Sequence, residues 1–190
     1  MAKTKKIVLH DNEYLQRMLY RDFLLEKDLY KEAGLENLSE KLAKQLGCNA
    51  EQAIEKLTAE PLLVSLSLKQ LKNLLTIRDM ALISRTAADV AADLKSPGVS
   101  YDTCCRTALC YSVAEMEAHV FSALRSAAAK NDTWARHHFL YGLILGLGGN
   151  FERACWELGM ALEREPYEES KVRIRHAMER VCDKNVPQKS

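Results

Sequence analysis

The sequence predicts an all-α protein, and three observations carry that prediction. From Trp134 to Pro166 the chain reads WARHHFLYGLILGLGGNFERACWELGMALEREP, two amphipathic segments joined by a glycine turn. Elsewhere leucines, alanines and methionines recur at spacings of three and four, as in Met80, Ile83, Ala87, Val90 and Leu94. An apolar fraction of 47% over 190 residues is enough to bury a core.

Taken in order, the first residues carry Lys3, Lys5 and Lys6 ahead of a short strand-like run, Ile7 to Leu9. No receiver-type phosphoacceptor site follows it. Tyr14, Leu15, Met18, Leu19, Phe23 and Leu24 instead have helical periodicity, with Asp11 or Asn12 as cap and Gly34 as stop. Leu38 to Leu57 reads as two short helices about Gly47, with Ser39 as N-cap. After Pro61, segments 62–75 and 79–94 read as further helices, completing an N-terminal helical region over residues 1–95. Lys95-Ser96-Pro97-Gly98 then marks a boundary before residues 96–190.

Within the second half, Gly148, Gly149 and Asn150 tolerate the positive φ that a turn between helices needs. Phe139, Leu140, Leu143, Leu145 and Leu147 line the helix before it, and Ala154, Leu158, Ala161 and Leu162 the helix after it. Gly142 and Ala154 are small where the two must approach closely, and Pro166 closes the unit. These residues resemble the tetratricopeptide repeat, a 34-residue helical hairpin. Gly142, Gly149-Asn150-Phe151, Ala154, Ala161 and Pro166 follow its pattern, while His138, Leu145 and Leu158 replace its usual aromatics. The clear unit covers 135–168. One period earlier, Ala108, Tyr111, Leu124 and Ala127 keep the register, so 101–134 reads as a degenerate unit in which Val113-Ala114-Glu115 stands for the Gly-Asn-Phe turn. Glu168 to Asp183, apolar at Val172, Ile174, Ala177, Met178, Val181 and Cys182, reads as a cap helix.

The resemblance implies a concave surface lined by the first helix of each pair. It assigns Arg136, Phe139, Leu143, Gly146 and Leu147 to that surface, with Asp102, Cys105, Leu109, Ser112 and Val113 from the earlier unit. Such a surface is apolar, and Arg136 alone could engage a terminal carboxylate, so a carboxylate clamp is not expected. Its cover is either a partner's amphipathic helix or extended apolar segment, or the chain's own N-terminal helices. In the second case Trp156, on the outer side of the last repeat helix, becomes the anchor for a partner. The function expected is a non-catalytic protein-binding scaffold, an adaptor or an assembly or secretion-type chaperone. Pairing of two copies is a further expectation.

Other classes find less support. The 27 basic and 26 acidic residues nearly cancel, which gives little general attraction for nucleic acid or membranes. The alternative function is a helix-turn-helix regulator using residues 38–57, with the repeats for dimerisation or sensing. Its second helix offers Glu51, Gln52, Glu55 and Lys56 where phosphates would wait, a mostly acidic face. No nucleophile elbow, metal box or phosphate loop argues for an enzyme or a cofactor. Cys48, Cys104, Cys105, Cys110, Cys155 and Cys182 lack metal or disulfide spacing and read as small buried hydrophobes, in preference to a thiol or metal site built from Cys104, Cys105, Cys110 and His119. With no long apolar run and no signal-like start, the expected compartment is the cytoplasm.

Overall fold

A computed structural model describes residues 11–26, 38–58, 94 and 96–182, and every regular element among them is an α-helix. The helices are α1 (Asp11–Leu25), α2 (Leu38–Leu46), α3 (Ala50–Lys56), α4 (Tyr101–Val113), α5 (Glu117–Lys130), α6 (Ala135–Leu147), α7 (Phe151–Arg164) and α8 (Glu168–Cys182). The helices expected at 62–75 and 79–94 lie outside the described residues, apart from the buried Leu94. The side chains of Asp11 and Asn12, and Gly34, lie outside them too.

Two antiparallel hairpins, α4/α5 and α6/α7, form the body. Their first helices start 34 residues apart, at Tyr101 and Ala135, and end 34 apart, at Val113 and Leu147. Their second helices keep the same offset, Glu117 to Phe151 and Lys130 to Arg164. Between α6 and α7, Gly149 takes φ +79° and the Asn150 amide donates back to the Leu145 carbonyl at 2.9 Å. That bond closes a glycine C-terminal motif. Asn150 then caps α7 by accepting from the Arg153 amide.

The turn between α4 and α5 has the same backbone course without a glycine. Glu115 holds φ +59°, and the Met116 amide donates to the Tyr111 carbonyl at 2.9 Å. The turn therefore centres on Glu115-Met116-Glu117, two residues later than Val113-Ala114-Glu115. A glutamate in this region costs about 1 kcal/mol or more, which packing on both sides must offset.

Close packing of α6 on α7 depends on Gly142. A Cβ placed there would lie 2.5 Å from Leu158 Cγ and 3.3 Å from the Ala154 carbonyl oxygen. Helix α6 is apolar on every side and is the central helix, touching α1, α4, α5, α7 and α8. Its N-cap, Trp134, offers no side-chain bond. The hydroxyl of Tyr101 does this instead, accepting from the His137 amide at 2.8 Å and sharing a 2.9 Å hydrogen bond with His137 Nδ1.

At the N-terminal side, α2 turns into α3 through Gly47 at φ +62°, and Asn49 caps α3. Ser39 lies inside the first turn of α2 and is buried, so it is not the N-cap the sequence suggested. Apolar residues of α1, α2 and α3 belong to one continuous core with both hairpins. In α8, Ile174, Ala177 and Val181 face that core, while Val172, expected on the same side, is 44% exposed.

Candidate interaction groove

Helix α1 lies across α4, α6 and α8, the first helix of each hairpin and the terminal helix. Its buried apolar residues are Tyr14, Leu15, Met18, Leu19, Phe23 and Leu24, and Arg17, Tyr20 and Arg21 are buried as well. Each such apolar side chain contributes about 1.5–3 kcal/mol of gross burial energy. Gly146 makes the seat possible, because a Cβ there would meet Leu15 Cδ1 at 3.1 Å and Val181 Cγ2 at 3.0 Å. Arg180 of α8 stands over the Tyr14 ring, 5.1 Å from its centre.

Charge contacts gather toward the C-terminal end of α1. Glu26 pairs with Arg136 and, at 2.9 Å, with Arg106. Asp102 completes the cluster by pairing with the same two arginines. Asp22 accepts from Arg173 of α8 at 2.9 Å, and Arg21 reaches Glu55 of α3 at 2.7 Å. Two open clefts flank the helix. One, of 260 Å³, is bounded by Leu19, Tyr20, Val113, Ile144 and Leu147; the other, of 250 Å³, by Leu25, Arg136, Phe139 and Arg173.

The residues assigned to the groove from sequence are thus brought together, but beneath a helix of the same chain. Phe139, Leu143, Leu109 and Val113 are buried, and Leu147 is half-buried. Arg136 is half-buried and ion-paired. Trp156 stands apart on α7, 58% exposed, with its ring edge-on to His138. Among the described residues of this half, Trp134, Tyr167 and Val172 are the other large apolar side chains left open. Sequence reasoning did not find Asp22, Glu26, Arg106 and Arg173. The available signal was a pair of carboxylates at the end of an amphipathic helix, where they oppose its dipole.

The buried polar side chains serve the fold. His138 Nδ1 meets Glu157 Oε2 at 2.7 Å, its Nε2 faces the Asp132 carbonyl at 3.1 Å, and Arg164 closes on the same ring. Burial, aided by the charges of His138 and Arg164, lowers His137 to about 4 and keeps it neutral. Burial likewise pushes the Cys105 thiol up to about 12 and raises that of Cys104, so neither is a reactive thiolate. Cys155 and Cys182 correct the sequence expectation: they form a disulfide joining α7 to α8, with Cα atoms 5.5 Å apart. Spacing did not reveal it because the partners are 27 residues apart and meet only when α8 folds back. Among the described residues, no group of three or more potential ligands could hold a metal ion, including Cys104, Cys105, Cys110 and His119. In the α2/α3 corner, Glu51, Gln52 and Glu55 are exposed, and Glu55 is paired to Arg21. No helix among the described residues is long and apolar enough to cross a membrane. No protein-family model, curated protein or solved structure matches this chain.

Proposed function

We propose that the chain is a non-catalytic protein-binding scaffold of the tetratricopeptide type, an adaptor or assembly chaperone that receives an amphipathic helix of another protein. The observation that carries this reading is the seat of α1: the surface built by α4, α6 and α8 already holds an amphipathic helix, fixed by apolar contacts and by arginines on the rim. Helix-in-groove recognition uses the same elements, apolar anchors along one face and charges that set direction. Support for the repeat assignment comes from the 34-residue offset of both hairpins and from the small residues, Gly142 and Ala154, between α6 and α7. Binding rather than catalysis fits the buried histidines and carboxylate, whose bonds hold helix ends and a loop together.

The test is capture from native extract on the immobilised full chain, followed by competition with a synthetic peptide of residues 11–26. Groove partners are expected to elute with the peptide and to be lost on an Arg136→Glu chain that keeps its helical ellipticity. Captured proteins that resist the peptide and that change, but disappear with Trp156→Ala, would move the binding surface to the exposed side of α7.

A further inference from the structure

We infer that α1 is a stand-in ligand, and that the groove's other occupant is a partner's amphipathic helix ending in two carboxylates spaced four residues apart. This rests on the scaffold reading and adds the partner's chemistry and the regulation.

Asp22 and Glu26 have that spacing, and both meet arginines of other helices: Arg173 on α8, and Arg136 and Arg106 on α6 and α4. Within α1 alone these acids are misplaced. Carboxylates at a helix C-terminus oppose the macrodipole, and α1 has no basic residue in its last turn. Their placement makes sense as recognition by the groove, whose basic rim would select the same feature in a competitor.

The fit of α1 is also incomplete. Open clefts of 260 and 250 Å³ run along its two flanks, so the groove leaves room beside α1 that the helix does not fill. The Gln16 side-chain oxygen and Arg21 Nε are buried without hydrogen-bond partners. A helix of 15 residues is marginal by itself, so α1 is ordered by its docking and exchanges with a better-fitting helix. Because α1 is tethered, it competes at an effective concentration on the order of millimolar, which keeps the groove closed to weak ligands.

The experiment uses the full chain and a fluorescein-labelled peptide of residues 11–26, read by fluorescence anisotropy. Glu26→Lys in the protein sets a cation against Arg136 and Arg106 and weakens the tethered α1. That chain should bind the native peptide about tenfold or more tighter than the wild type does. A peptide carrying Asp22→Asn and Glu26→Gln should bind it about tenfold more weakly than the native peptide, and the gap should close near 1 M salt. Equal affinity for both peptides would overturn the acidic-end specificity and leave the scaffold reading standing. Binding of neither, on a chain with wild-type ellipticity, would make α1 a permanent core element and remove the groove from the function altogether. Should Glu26→Lys lose ellipticity, Asp22→Asn, which breaks the Arg173 contact, serves as the weakened chain, with the same outcomes.

Discussion

Gly142→Ala is the sharpest probe of the α6/α7 hairpin. The added methyl carbon would sit 2.5 Å from Leu158 Cγ and 2.6 Å from its Cδ2, against about 3.5–4.0 Å for carbon atoms in contact. Leu158 is fully buried, and the Ala154 carbonyl oxygen stands 3.3 Å away on the other side, so relief requires the helices to part. Overpacking of this type costs about 1–3 kcal/mol, from which a helical glycine-to-alanine gain of about 1 kcal/mol is subtracted. The expected net loss is about 1 kcal/mol, read from chemical denaturation followed by far-UV ellipticity. In a Leu158→Ala background the two closest atoms are gone and only the 3.3 Å approach to the Ala154 carbonyl oxygen remains, so the same substitution should instead stabilise by about 0.5 kcal/mol. Equal effects in the two backgrounds would refute the close approach of α6 to α7.

Three further outcomes are expected. Glu115→Gly should raise stability by about 1 kcal/mol in the same assay, since glycine takes the φ of +59° without strain; Arg125→Gly, at an exposed position in the interior of α5, should lower it by a similar amount. His137 titrates near 4 when folded against about 6.5 when unfolded, so its contribution is complete above pH 6.5 and is lost as pH falls toward 4. That loss reaches about 3 kcal/mol, and His137→Asn should flatten this part of the stability profile. Reduction of Cys155–Cys182, which are 27 residues apart, should cost about 3 kcal/mol, and mass spectrometry after alkylation of the denatured chain should find four modified thiols before reduction and six after.

Local chemistry made part of this fold legible. Gly148-Gly149-Asn150, Pro166 and the small residues Gly142 and Ala154 act within a few residues or across one tight turn, and the second hairpin follows from them. The sequence pattern places the first turn two residues early because its left-handed position is held by Glu115 and not by a glycine. The helical period of α1 was visible, but not its seat. Leu15 meets the helix carrying Gly146, and Asp22 meets Arg173, across separations that no periodicity encodes. The Cys155–Cys182 bridge and the His138–Glu157 pair were hidden for the same reason.

The most direct measurement of the central claim is a nuclear Overhauser experiment on the free, methyl-labelled full chain. Leu15 Cδ1 and Val181 Cγ2 both lie against Gly146, so cross-peaks are expected between the Leu15 and Val181 methyls and from each to the Gly146 α-protons. A folded chain in which Leu15 shows no cross-peak to α6 or α8 would mean that α1 does not occupy the groove, and would contradict the account.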